Sequence, residues 1–142
     1  MLALSALSML PDVDVVGMAL GVPYGAPWGH RGATHSLVMA GGLGVAFALL
    51  VRGRSHRGTT TTALLAMAVA ASHGLLDAMT DGGRGVALLW PLTTQRYFLP
   101  WRPIPVAPIG LGFLSGEGLE VAGWELVMFL PLFAYALWPR LR

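Results

Sequence analysis

Six carboxylates and imidazoles occur in this chain as closely spaced pairs: Asp12 and Asp14 in LPDVD, His30 and His35 in HRGATHS, and His73 and Asp77 in SHGLLD. A seventh group, Glu125, lies early in the last apolar run. Such side chains are the usual ligands of zinc and related divalent metals. In an apolar chain each is costly unless it has a partner or a task. The chemistry this set points to is a metal centre at a membrane.

Each pair also has a plainer explanation. His73 and Asp77 are four apart, so on a helix they share one face; they can ligate one ion, form an oriented His–carboxylate unit, or pair between helices. Asp12 and Asp14 follow a proline, where turn chemistry alone accounts for aspartates, although a cation between them would relieve their repulsion. His30 and His35 bracket a glycine-containing turn with Arg31 inside it. Its guanidinium fits phosphate or carboxylate oxygens, or simply snorkels to the interface. Glu125 stands among Trp124, Leu126 and Val127, which makes it a functional suspect within a membrane segment. Glu117 and Glu120 are explained by a helix N-terminus, and His56, in the loop RGRSHRG, by solvation.

Taken together, Asp12, Asp14, His30, His35, His73, Asp77 and Glu125 suggest one or two divalent ions, zinc first, with Mn2+ or Mg2+ as alternatives. A bound metal would polarise an ester oxygen and make water a nucleophile near neutral pH. Asp14, Asp77 and Glu125 are then candidate acid–base groups, and Arg31 the candidate contact for an anionic oxygen. Other catalytic signatures are missing: there is no HExxH, no GxSxG, no Walker or dinucleotide-binding glycine pattern and no cysteine. The HxxxD spacing lacks the PSGH and Lys/Arg-Pro partners of histidine-nucleophile lipid phosphatases.

The elements that must position these groups are apolar. Hydrophobic residues make up 55% of the 142 and charged ones 11%, against roughly a quarter charged in soluble domains, and mean hydropathy is +0.65. The length fits one domain, residues 1–142. All nine basic residues are arginine and they are scattered, so nucleic acid is not an expected partner. The sequence predicts spanning helices over Thr34–Val51, Thr60–Met79 and Leu119–Trp138, each near the ~20 residues a bilayer needs. MLALSALSML has neither the basic start nor the cleavage site of a signal peptide and reads as a short membrane helix. The expected fold is therefore an all-α integral membrane bundle of three spanning helices plus a short N-terminal helix, with long Pro/Gly-rich loops at 11–32 and 84–118.

Alternating helices put Asp12, Asp14, His30, His35, His73, Asp77 and Glu125 on one side of the bilayer. RGRSHRG and the PRLR tail fall on the other. Five arginines against four favour that second side as cytoplasmic and the site as extracytoplasmic.

LPDVD, HRGATHSL, SHGLLDAMTDGG with LLWP, and RYFLPWRPIPVAPIG together resemble the YdjM family of inner-membrane metal-dependent hydrolases over nearly the whole chain. In motif logic that family is similar to the all-helical zinc-dependent phospholipase C and single-strand nuclease group. The resemblance implies metal ligation by Asp12, Asp14, His30, His35, His73 and Asp77, with Glu125 matching the carboxylate of the last helix. Family members usually open with a longer first helix bearing a histidine. This chain has none before His30, so if that histidine is a ligand, one metal position is expected to be incomplete. The expected function is metal-dependent hydrolysis of a phosphoester in a lipid or lipid-linked substrate, in a multi-pass inner-membrane protein. The alternative is a non-catalytic metal-binding membrane protein acting in transport, sensing or regulation.

Overall fold

A computed structural model of the chain describes residues 2–137. Five α-helices follow one another: α1 (Leu2–Met9), α2 (Asp14–Ala19), α3 (Leu37–Leu50), α4 (Thr59–Ala78) and α5 (Gly116–Leu137). Short 3-10 turns occupy Leu10–Val13, Ala33–His35 and Gly110–Leu114. Among the described residues there is no β-strand, only isolated bridges between Thr80 and Ile104 and between Val86 and Tyr97. The expected all-α class is observed.

Small residues at every fourth position build the central hairpin. Ala40, Gly44 and Ala48 of α3 are buried, as are Thr62, Ala66, Ala70, Gly74 and Ala78 of α4. A spacing of four keeps them on one helix face, and lacking bulk they let the backbones approach closely. At Gly44 a Cβ would sit 2.7 Å from both the Ala63 carbonyl oxygen and the Met67 nitrogen. Helix α1 lies against α4, and Leu7, Ala40, Ala66 and Ala70 form the core.

The large apolar side chains point the other way. Val38, Val45, Leu49, Leu50, Leu64, Leu65 and Leu75 are exposed, which in water would be an aggregation hazard and in lipid is a solvated face. Helix α4 has 20 residues, and only 22% of its apolar window is buried inside the protein; at 1.5 Å per residue it reaches the ~30 Å of a bilayer core. It is the one helix, among the described residues, that is long and apolar enough to cross a membrane.

Helix α3 is shorter than the predicted Thr34–Val51. Ala33–His35 forms a 3-10 turn, and Ser36 caps α3 by accepting a hydrogen bond from the Met39 N–H at 3.1 Å. Helix α5 starts three residues earlier than predicted, and Trp138 lies outside the described residues. Helix α5 packs chiefly on the turn Gly110–Leu114. The loop after α4 is bonded to the helix ends through its backbone: Leu99 N–H donates to Ala78 O, Ile104 N–H to Met79 O, and Ala87 N–H to Arg31 O. These bonds satisfy polar groups that lipid cannot.

Candidate metal centre

Four segments meet at one end of the hairpin. The 3-10 turn after α1 delivers Asp12, the start of α2 delivers Asp14, the turn before α3 delivers His35, and the last turns of α4 deliver His73 and Asp77. Gly74 makes the junction possible: a Cβ there would lie 2.6 Å from the His35 carbonyl oxygen. The turn carrying His35 therefore rests directly on the α4 backbone, one residue from His73.

Asp12 Oδ1 is 3.4 Å from His35 Nε2 and 3.3 Å from His73 Nε2. Asp77 Oδ2 is 3.2 Å from His35 Nε2 and 3.9 Å from His73 Nε2. None of these contacts satisfies the buried partners: His35 Nε2, His73 Nε2 and Asp77 Oδ2 all lack a hydrogen bond. Buried polar atoms left unpaired cost free energy, and here three of them converge on one point. Zinc–ligand bonds of about 2.0–2.2 Å at tetrahedral angles place donors about 3.3–3.6 Å apart. The four atoms, all within 4.8 Å of one another, fit a divalent cation.

Asp14 is arranged differently. Its Oδ1 accepts from His30 Nδ1 at 2.7 Å, and its Oδ2 accepts from the Thr34 hydroxyl at 2.6 Å and the Arg31 N–H at 3.2 Å. His35 Nδ1 is 3.2 Å from the same Oδ2. Asp14, His30 and His35 form a second group of donor atoms within metal-binding reach of one another, yet both carboxylate oxygens are already engaged. Thr34 Oγ1 spends its hydrogen on Asp14 Oδ2, so His35 Nδ1, 3.0 Å from that hydroxyl, donates to it, and Nε2 is the atom turned towards Asp12, His73 and Asp77 and left to ligate a cation.

Arg31 is buried, 5% exposed, and takes a left-handed φ of 60°. This costs strain for a non-glycine residue and persists only where the surroundings over-determine it. They do so here. Besides the Asp14 contact and the Ala87 bond, Nη2 donates to Asp77 Oδ1 at 3.1 Å, and Nη1 to Thr80 Oγ1 at 2.9 Å and Gly82 O at 3.3 Å. Arg31 thus holds Asp77 so that only Oδ2 faces the donors, and its Nε has no partner.

Glu125 is not among the groups whose donor atoms converge, and α5 packs chiefly on the turn before it. Thr80 and Arg96 were not indicated by the sequence. Arg96 donates to the carbonyls of His30 (2.7 Å), Tyr24 (2.9 Å) and Ala26 (3.2 Å), fixing the loop that carries His30 and Arg31. No local pattern around Arg96 marks such a role, since its partners are backbone atoms about 70 residues away.

Burial alone would lower the pKa of His35, but the Asp12, Asp14 and Asp77 carboxylates around it outweigh burial and raise it to about 10. Burial would raise Asp12 and Asp14. Contacts with His35 and His73 for Asp12, and with His30, His35 and Thr34 for Asp14, instead hold both well below the usual carboxylate range. In the metal-free protein a proton on His35 thus takes the place of a cation. A histidine whose folded pKa is raised contributes stability fully below its unfolded value, and that contribution is lost as pH rises through the folded value. Thermal unfolding in the presence of chelator should therefore weaken progressively from pH 6.5 towards about 10. It should weaken again as pH falls below 3.8, where the depressed aspartates become protonated on unfolding. Added zinc should remove the alkaline decline, because a ligating histidine is already neutral. An unchanged alkaline decline with zinc present would show that His35 is not a ligand.

A cavity of about 340 Å³ reaches the cluster at Asp12 and Asp77; its lining combines these and His30 and Arg31 with the apolar Met9, Val15, Pro108, Ile109 and Phe113.

These features define a helical membrane protein with a cluster of histidine and aspartate donors buried at one end of its hairpin. The chain belongs to the YdjM inner membrane protein family, whose sequence profile matches residues 1–141. It is 41% identical over 140 residues to the inner membrane protein YbcI of Escherichia coli (strain K12), covering 96% of this chain and 81% of that protein. No solved structure matches it.

Proposed function

We propose that the chain is a multi-pass, metal-dependent hydrolase acting on a phosphoester of a lipid or lipid-linked substrate. What carries this reading is the convergence of three unpartnered buried donors, His35 Nε2, His73 Nε2 and Asp77 Oδ2, the last of which lines a cavity of mixed polar and apolar lining. In this reading α3 and α5 cross the bilayer alongside α4. The arginines of the α3–α4 turn favour an extracytoplasmic site.

His35, His73 and Asp77 hold the cation, most simply zinc. A catalytic zinc site keeps one position open beyond three protein ligands. A divalent cation supplies Lewis acidity there, polarising an ester oxygen and making water acidic enough to attack near neutral pH. Asp12, its side chain 45% exposed at the cavity, is the carboxylate able to take a proton from an entering water. Asp14 and His30 do not ligate in this scheme; they orient His35. Arg31 fixes Asp77, and its free Nε is the donor left for an anionic oxygen. The apolar residues of the cavity lining take the lipid portion of the substrate. Glu125 has no assigned step.

A second reading, metal binding without catalysis, is favoured by one observation: Asp12 can complete a closed four-donor shell, as in structural zinc sites. Elemental analysis of the detergent-purified protein, followed by a screen of chromogenic phosphomonoesters and phosphodiesters, separates the two. Hydrolysis requires about one equivalent of metal and turnover that Asp77→Ala lowers by roughly 10³-fold or more. Bound metal with no turnover on any ester selects the non-catalytic reading.

A further inference from the structure

We propose that the end of the bundle opposite the donor cluster carries a binding site for one anionic phospholipid, its phosphate held by Arg54 and Arg57 and one acyl chain lying between α1 and α3. Nothing in this proposal depends on the donor cluster or on its chemistry.

Two adjoining cavities carry the inference. The first, about 270 Å³, counts Arg54, Ser55, Arg57 and Thr62 among its lining residues. The second, about 260 Å³, is lined solely by apolar residues of α1, α3 and Leu10 at the start of the following turn, among them Leu7, Leu43, Ala46 and Leu50. Ala3 and Phe47 line both, so the arginine-lined cavity adjoins the apolar groove. A head-and-tail ligand matches that order of polarity.

Charge complementarity fixes the sign of the head. Among the described residues, Arg54 and Arg57 make no ion pair, and neither guanidinium donates a hydrogen bond. No Asp or Glu occurs between Asp14 and Asp77, and the described carboxylates near the hairpin lie at its other end. Two free guanidinium groups at a membrane interface attract anionic headgroups, and their planar donor forks suit phosphate oxygens. The local polar groups are otherwise occupied with one another: Thr62 Oγ1 donates to Gly58 O at 3.1 Å and lies 3.2 Å from Ser55 Oγ. Arg52 is in the same turn but does not line the first cavity, which provides an internal control.

Geometry places the lipid as a bilayer would. The arginine turn joins the ends of α3 and α4, and the groove runs from it along α1 towards Leu10. With the head at the interface, the chain points into the membrane, parallel to the helices. The groove is shallow and faces lipid, so exchange with the surrounding leaflet needs no opening of the bundle.

Native mass spectrometry of the full chain in detergent tests the proposal, with phosphatidylglycerol and phosphatidylcholine of identical acyl chains offered in equal amounts. The wild-type protein should retain one phosphatidylglycerol, preferred over phosphatidylcholine by on the order of tenfold or more. Arg54→Ala with Arg57→Ala should abolish the preference, whereas Arg52→Ala should leave it unchanged. Ala46→Phe, which alters no charge but fills the groove, should also reduce retention. Unfolding temperature in detergent checks that each variant keeps its bundle. Equal loss with Arg52→Ala would reduce the effect to general loop charge and overturn the site. Full retention in Ala46→Phe would overturn the acyl groove, and displacement of the lipid by millimolar inorganic phosphate would overturn a lipid as the ligand.

Discussion

Replacing His35 with alanine is expected to remove metal binding and to destabilise the metal-free protein at once. His35 is the one side chain in contact with all three aspartates: Nε2 faces Asp12 and Asp77, and Nδ1 faces Asp14. It is also buried. Without it, carboxylates that burial already penalises lose their shared positive partner, and removing one member of a buried charge cluster costs about 3–5 kcal/mol. The same substitution deletes a ligand, so bound zinc should fall from about one equivalent to near zero. Asp14→Asn gives the informative contrast. If Asp14 only orients His35, the metal stays but apparent affinity drops by roughly 10–100-fold, as for other residues that support a ligand. Chelator competition measures the affinities, and denaturant unfolding of metal-free protein measures the stability. A His35→Ala variant that binds zinc like the wild type would remove the central member of the proposed centre.

The second large effect comes from a residue with no side chain. Gly74→Ala should weaken metal binding by roughly 10–100-fold with every donor still in place. The added Cβ would meet the His35 carbonyl oxygen at 2.6 Å. That neighbour is backbone, so relief requires the turn Ala33–His35 to move off α4, separating His35 from His73 and Asp77. Overpacking of this kind also costs about 1–3 kcal/mol of stability. Gly41→Ala is the matched control, because a Cβ there has no neighbour within 4 Å; it should leave both affinity and stability unchanged. Metal affinity of Gly74→Ala equal to that of Gly41→Ala would mean that the α4–His35 contact does not set the donor geometry.

Both substitutions bear on what could be read without coordinates. The apolar runs, their small-residue faces and the positions of Asp12, His35, His73 and Asp77 near the ends of those runs are properties of local sequence. Hydropathy fixes the apolar runs themselves. Spacing also put His73 and Asp77 on one face, since four residues are about one helical turn.

What the sequence did not reveal was how the donors divide their work. Asp12 and Asp14 look alike in LPDVD, yet Asp12 turns an oxygen towards His35 and His73 while Asp14 is bound by His30, Arg31 and Thr34. Only the 3-10 turn at Leu10–Val13, giving way to α2 at Asp14, separates the two directions. Glu125 was equally plausible by composition, yet its carboxylate is not among the donor atoms that converge. Arg31, legible as a charged residue beside histidines, is committed mainly to Asp77, Thr80 and Gly82 by folding of the loop after α4. Composition and periodicity thus determined an α-helical membrane chain with metal-ligating residue types near the ends of its apolar runs. Which atoms face one another was decided by contacts between segments tens of residues apart, and no local propensity encodes those contacts.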